Sequence, residues 1–218
     1  MSVIRQPGIL GRTTRQRIVG LTAALSIATV EAVTVGLWFG LVVGSRTTST
    51  ALAGLGILFC GSLLRAGVFG ATVSDVRDLC QPHRLAAALA LTGGWVVWLL
   101  VAELIGDVTG LLVATVVFTG ILTGQFILER SVFSTQMHSA TVRTALIPAL
   151  LLAVGAATLL ASAWFTDLRF ITPPLSLEIT TVVLWIDVQH LGYLSFGLFA
   201  FLAHQQRFEQ FLGPYRGT

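Results

Sequence analysis

The chain has 218 residues, of which 55% are hydrophobic and only 11% are charged, and its mean hydropathy is +0.86. Water-soluble domains carry about 25% charged residues, so this composition excludes a soluble fold and predicts helices that are apolar on every side. The formal net charge of +3 is small, and it indicates loops beside a membrane rather than a nucleic-acid-binding protein.

Six apolar segments follow one another along the chain, each long enough to cross about 30 Å of hydrocarbon at about 1.5 Å per residue. They are Ile18–Gly44, Thr50–Thr72, Leu85–Ile105, Thr109–Leu128, Thr144–Phe165 and Leu177–Ala203. Only a short junction around Gly106 and Asp107 separates the third from the fourth, so a re-entrant hairpin with four full spans is the alternative. The sequence predicts an all-α, polytopic transmembrane helical bundle of six spans, forming a single integral membrane domain over residues 1–218.

The cations give the orientation of the predicted spans, because cytoplasmic loops of membrane proteins carry an excess of Lys and Arg. All thirteen cations are arginine. With the N-terminus inside, the cytoplasmic side holds Arg5, Arg12, Arg15, Arg17, Arg77, Arg84, Arg130, Arg143, Arg207 and Arg216. The outside holds Arg46 and Arg169, and Arg65 lies within a span. This asymmetry predicts a multi-pass protein of the cell membrane with both termini in the cytoplasm.

The first predicted span carries small residues at every fourth position, which lets helix backbones approach closely in lipid. The ladder consists of Ala24, Ala28, Ala32, Gly36, Gly40 and Gly44. Packing within the bundle is the favoured interpretation, and contact with a second copy or a partner membrane subunit is the alternative. Gly120 and Gly124 in the fourth span form a weaker version of the same motif.

Glu31 lies near the middle of the first span, on the side of the helix that carries the small-residue ladder. A carboxylate at that depth is unfavourable by about 2.5–3.5 kcal/mol on insertion scales, and it marks a candidate functional site. A hydrogen-bonded structural glutamate is the alternative. Arg65, in the inner half of the second span, is expected either to pair with Glu31 or to extend toward the cytoplasm.

Asp187 and His190 form a second polar group, in the predicted sixth span. Residues three apart share a helical face, so the carboxylate can orient the imidazole and hold its proton. This arrangement suits a proton relay, or a metal or haem ligand. A neutral pair that holds helices together is the alternative.

Cofactor chemistry is restricted by residue counts. The chain has no lysine, which excludes a retinal Schiff base. His190 and His204 are fourteen residues apart, roughly 21 Å along a helix, but the other two histidines are predicted in loops and cannot complete either ligand pair. The count therefore argues against two-haem ligation by this chain alone. A metal site on the cytoplasmic face is a weaker prediction, and its candidate ligands are Cys80, His83, His138 and His204.

These observations favour a small transporter or permeation component, with Glu31, Asp187 and His190 as a protonatable site between the first and sixth spans. The alternative is a non-catalytic structural subunit of a larger membrane complex, for example a respiratory one. A third interpretation is a membrane-embedded enzyme that uses the Cys/His group as a metal site. The sequence contains no glycine-rich phosphate loop, nucleophile elbow or His-Glu-x-x-His motif, which favours a protein that is not an enzyme.

Overall fold

The computed structural model describes residues 8–45, 47–73, 82–133, 142–165, 169–171, 175–177, 180–182 and 185–212. Within these ranges the chain forms six α-helices. They are α1 (Gly8–Gly44), α2 (Thr48–Val73), α3 (Pro82–Ile105), α4 (Asp107–Phe133), α5 (Val142–Trp164) and α6 (Val188–Leu212). Each of the first five contains a stretch long and apolar enough to cross a membrane. This confirms the prediction of an apolar helical bundle of the kind found in integral membrane proteins.

The six helices form a closed ring. Each helix packs against its neighbours in the chain, and α6 packs against α1 as well as against α5. Successive helices run in alternate directions, so the bundle has two distinct ends. We call the end where α1 begins and α6 finishes the termini end, and the end where α1 leads into α2 the turn end.

The junction between α3 and α4 is a tight turn at the turn end. Gly106 adopts φ 73°, a left-handed conformation that suits glycine at a helix C-terminus, and its amide donates to the carbonyl of Ala102 at 2.9 Å. Asp107 follows with φ 51° and begins α4. The apolar stretches on either side, Leu85–Ile105 and Asp107–Glu129, are each long enough to span a bilayer. Their lengths support two separate helices rather than a re-entrant hairpin.

The predicted bounds of the sixth span were wrong. Residues 177–187 are not helical where the structure describes them, and α6 runs from Val188 to Leu212, beyond the predicted end at Ala203. Four three-residue strands precede α6, namely β1 (Arg169–Ile171), β2 (Leu175–Leu177), β3 (Thr180–Val182) and β4 (Trp185–Asp187). They pair antiparallel as β1 with β4 and β2 with β3.

The composition of this segment explains the difference. The run from Leu177 to Asp187 is rich in β-branched residues, which fit a strand better than a helix. A short apolar run does not by itself distinguish the two states. In contrast, α6 is long enough to cross a bilayer but more polar than the other five helices, and it is not among the candidate spans identified by apolar composition in the described residues.

A cluster of aromatic side chains fills the bundle interior toward the turn end. Trp95 of α3 lies at its centre, with ring centroids 4.6 Å from Phe118, 5.6 Å from Trp98 and 5.6 Å from Phe196. The ring of Trp38 on α1 lies 6.2 Å from that of Trp95. All five side chains are buried. Edge-to-face aromatic packing of this kind stabilises the core beyond simple burial of area. We refer to these five residues as the aromatic cluster.

The small-residue ladder of α1 faces α6 over most of its length. Ala24 and Ala28 are buried, and the Cβ of Ala32 lies 3.7 Å from the position that a Cβ on Gly197 would take. A Cβ on Gly36 would lie 3.4 Å from the ring of Tyr193. The remaining ladder positions differ in their surroundings: Gly40 approaches the Tyr193 hydroxyl, whereas Gly44 is exposed. Because these side chains are small, α1 and α6 approach closely, and polar side chains of the two helices come together.

On α4, the motif formed by Gly120 and Gly124 faces away from the bundle. Both residues are exposed, and a Cβ at either position would meet no atom of the described residues within 4 Å. This pair therefore takes no part in packing among the described helices.

Candidate functional site

Glu31 lies at the point where α1, α2 and α6 meet. Its side chain is only 3% exposed. Oε1 accepts a hydrogen bond from Nη1 of Arg65 on α2 at 2.9 Å, and Oε2 lies 2.6 Å from Nε2 of His204 on α6. A buried carboxylate requires such partners, because an unpaired charge in an apolar interior is strongly unfavourable.

A second carboxylate extends the group to α4. Glu129 Oε2 accepts a hydrogen bond from Nη2 of Arg207 on α6 at 2.6 Å. Nη2 of Arg65 lies 3.9 Å from the other oxygen of Glu129, so Arg65 stands between the two carboxylates. Gln125, one turn before Glu129, donates to Oε1 of Glu129 at 3.1 Å and to the carbonyl of Ala87 on α3 at 3.3 Å.

We call Glu31, Arg65, Glu129, His204 and Arg207 the charge network. Two carboxylates face two guanidinium groups, so the network is formally neutral when the imidazole is neutral and carries one positive charge when it is protonated. Imidazole is the side chain whose charge ordinarily changes between about pH 5 and 8. Proton uptake at His204 would therefore change the total charge of an otherwise balanced group.

Phe126 on α4 holds the two arginines in place. Its ring is buried, and Cζ of Arg207 lies 4.1 Å from the ring centroid while Cζ of Arg65 lies 5.5 Å from it. A guanidinium over an aromatic face within about 6 Å is attracted by the ring quadrupole. The ring thus contributes to the stabilisation of both guanidinium groups.

The network lies deep in the bundle but closer to the termini end. Arg65 is about 26 Å along α2 from Thr48 and about 12 Å from Val73, and His204 is about 24 Å along α6 from Val188 and about 12 Å from Leu212, at about 1.5 Å per residue. The aromatic cluster occupies the interior between the network and the turn end. Among the charged side chains of the network, Glu129 is the most exposed, at 11%.

The structure brings together only some of the residues that the sequence singled out. Arg65 pairs with Glu31, one of the two expected outcomes for this residue. The predicted shared site between Glu31 and the Asp187–His190 pair was wrong. His190 is exposed in the first turn of α6, about 21 Å along the helix from His204, which occupies the place expected for His190.

Asp187 also differs from its predicted setting. It is the final residue of β4, half-buried, and is paired in register with Arg169 of β1. Asp187 and His190 therefore do not share a helical face at mid-membrane depth. The cause is the later start of α6, which moves both residues toward the turn end.

The structure describes the side chain of only one of the four candidate metal ligands, His204. Cys80 and His138 lie outside the described residues, and so does the side chain of His83, although its backbone belongs to α3. His204 is buried against Glu31 inside the bundle rather than at a surface. Among the described residues, no group of three or more His, Cys, Asp or Glu side chains is placed to hold a metal ion.

Sequence reasoning missed three members of the site, Glu129, Arg207 and the supporting Gln125. Gln125 and Glu129 are four residues apart, and His204 and Arg207 are three apart, so each pair lies on one helical face. These spacings were a usable signal. They were overlooked because Glu129 and Arg207 fell just beyond the predicted ends of their spans, where a charged residue needs no partner.

Comparisons with protein-family models, with curated proteins and with solved structures find no match for this chain. The charge network is therefore the feature of the molecule from which its function is inferred.

Proposed function

We propose that the chain is a small membrane transport component whose protonatable site is the contact between Glu31 and His204. This site replaces the one formed by Glu31, Asp187 and His190 that the sequence suggested. Five long apolar helices and a buried charge network inside the bundle support the proposal. Ionisable groups that face the interior of a membrane bundle are typical of ion and proton pathways.

The single observation that carries the proposal is the 2.6 Å separation of Glu31 Oε2 and His204 Nε2 in a fully buried setting. At this distance a carboxylate and an imidazole share one proton, which can reside on either partner. Nδ1 of His204 is buried and has no hydrogen-bond partner in the part of the chain that the structure describes. An ionised Glu31 accepts the proton at Nε2, so Nδ1 is the ring nitrogen that remains to take up a further proton.

Arg65 links the proton on this pair to the packing of the helices. Neutralising Glu31 weakens its attraction for Nη1 of Arg65, and the guanidinium is then drawn toward Glu129 on α4. Glu129 is already held by Arg207 of α6. Protonation thus alters ion pairs among α1, α2, α4 and α6, and a ligand that changes such pairs shifts the balance between two conformations of a bundle.

The position of the network supports proton access from the termini end. The aromatic cluster separates the network from the turn end, whereas Glu129, its most exposed carboxylate, faces the shorter path to the surface. Transport requires that access change between sides, and the aromatic cluster is then the barrier that moves. The same proposal puts the protein in the cell membrane with both termini cytoplasmic, which the arginine count supports.

Proton movement into liposomes tests this function. Purified protein would be reconstituted into vesicles that contain a pH-sensitive dye, and an acid pulse would be applied with the membrane potential clamped. The parent should acidify the lumen faster than empty vesicles do, and Glu31→Gln and His204→Gln should reduce that rate to the empty-vesicle level. His190→Gln, an exposed histidine on the same helix, is the matched control and should behave as the parent.

A parent protein that acidifies the lumen no faster than empty vesicles would contradict the proposal. The alternative, a non-catalytic subunit of a larger membrane complex, would then be favoured. In that case the charge network would serve only to hold four helices in register.

A further inference from the structure

A small cavity lies beside Glu31, enclosed by α1, α2 and α3. Its polar wall consists of Glu31, Thr34, Ser62 and Arg65, and the ring of Trp95 closes it on the side of the aromatic cluster. Its volume is about 10 Å³, the space that the centre of about one water molecule requires. The cavity is therefore polar and of the size of one water molecule.

The polar wall offers both donors and acceptors. Nη2 of Arg65 is buried and has no hydrogen-bond partner among the described residues, because Oε1 of Glu129 lies 3.9 Å away, so this donor retains capacity for a hydrogen bond. The carboxylate of Glu31 is an acceptor. Among the described residues, the contact given for Ser62 Oγ is a long one, 3.4 Å to the hydroxyl of Thr92 on α3, and the group retains capacity for a stronger hydrogen bond.

These groups match water better than they match an ion. A buried water needs two to four polar partners, and it both donates and accepts. An anion at this position would meet the Glu31 carboxylate, and a cation would meet the Arg65 guanidinium, so either charge is opposed by one wall of the cavity.

We propose that this cavity binds one structural water, which accepts from Arg65, donates to Glu31 and is positioned by Ser62. The binding of this water does not depend on the proposed function. Its second role rests on the proposed function: the water transfers protons to and from the Glu31 carboxylate on the side opposite His204. In that step one proton enters the Thr92 hydroxyl from solvent water, one passes from Thr92 to Ser62, one passes from Ser62 to the cavity water, and that water gives one to the Glu31 carboxylate, so both hydroxyls and the water end as they began.

The close approach of α1 and α2 keeps the cavity small. A Cβ on Gly61 of α2 would collide with the side chain of Thr34 on α1, so only glycine permits this separation of the two helices. Thr34 is in turn held by the hydrogen bond from its hydroxyl to the carbonyl of Val30 at 2.7 Å. The walls on this side therefore have little freedom to close over the cavity or to admit a larger molecule.

Two variants test separately the space that the water needs and the hydroxyl that positions it. Ser62→Ala removes the positioning hydroxyl and leaves the space, whereas Val35→Ile adds a methyl group to the apolar wall and leaves every polar group in place. Ser26→Ala is the matched control, because Ser26 is exposed on α1 and its hydroxyl donates to the carbonyl of Thr22 in its own helix. Melting temperatures in detergent would establish that each variant folds.

Two readouts test the inference. A high-resolution experimental structure of the parent should show one water peak in the cavity, and Val35→Ile should lack it. In the liposome assay Ser62→Ala and Val35→Ile should each slow acidification about tenfold, the rate equivalent of one lost hydrogen bond, while Ser26→Ala matches the parent.

The outcomes distinguish the two proposals. A parent structure with no water in the cavity would overturn this inference whatever the flux. A water peak together with parent-like flux in both variants would overturn the relay role and leave the proposed function intact. A water peak in a parent that moves no protons would contradict the proposed function while the binding site remains.

Discussion

Glu31 on α1 and His204 on α6 touch at 2.6 Å although 173 residues separate them in the chain. The contact exists because α6 closes the ring of helices against α1, where the ladder of small residues lets the two backbones approach. It therefore joins the first and last helices of the bundle through a titratable pair. The stability of that junction and its response to protons are both open to measurement.

Removing Arg65 should destabilise the bundle strongly. Arg65→Ala leaves Glu31 without its guanidinium partner in a buried site, and the expected loss is about 3–5 kcal/mol of unfolding free energy. Arg65→Lys should be more stable than Arg65→Ala but less stable than the parent, because an ammonium cannot face two carboxylates as a planar guanidinium does. Denaturant titration in detergent measures both. Arg143→Ala, an exposed arginine on α5, is the control, and equal losses at the two positions would refute a special role for Arg65.

The pair formed by Glu129 and Arg207 should be strongly coupled. Each single replacement by Met leaves the other charge buried and is expected to destabilise the protein, whereas the double Met variant should be close to the parent or above it. The interaction free energy in such a double-mutant cycle should fall at about 0.5–3 kcal/mol. Additive losses in the cycle would show that the two side chains do not depend on one another.

Adding a methyl group to Gly61 should separate α1 from α2. In Gly61→Ala the new Cβ meets the side chain of Thr34, and overpacking of this kind destabilises by about 1–3 kcal/mol. In Gly56→Ala on the same helix the new Cβ meets no atom of the described chain within 4 Å, so this variant should leave the stability unchanged or raise it. Thr34→Ala combined with Gly61→Ala should restore much of the loss. If Gly61→Ala has the same melting temperature as Gly56→Ala, α1 and α2 are not closely packed at Gly61.

Most of the fold followed from the sequence because the bilayer imposes it. A helix that crosses about 30 Å of hydrocarbon needs about twenty apolar residues, and five predicted spans coincide with described helices to within ten residues at their N-terminal ends and five at their C-terminal ends. The sixth was misplaced since apolar content alone does not separate a β-rich run from a helix, and Thr180–Val182 and Trp185–Asp187 form strands.

The site was less predictable than the fold. Glu31 stood out because a single carboxylate in an apolar run requires an explanation, and Arg65 stood out for the same reason. Their partners depend on which helices pack together and at what height, and neither is set by the composition of one segment. His204 was assigned to a surface group because the predicted span ended at Ala203, one residue too early to include it.

The orientation of the bundle can be tested by thiol labelling. In a background with Cys60→Ser and Cys80→Ser, a cysteine at Thr47, in the exposed connection between α1 and α2, should react with an impermeant reagent in intact cells. Cysteines at Arg143 and Glu209, both exposed near the termini end, should react only after lysis. Labelling of Arg143→Cys in intact cells would reverse the orientation derived from the arginine count.

The most direct test of the central claim is a double-mutant cycle on proton flux in liposomes with Glu31→Gln, His204→Gln and the two together. If these residues share one proton, each single variant removes as much flux as the double variant, because members of one unit are not additive. If His204→Gln has the flux of the parent while Glu31→Gln has none, Glu31 acts without the imidazole, and this result would contradict the proposed site.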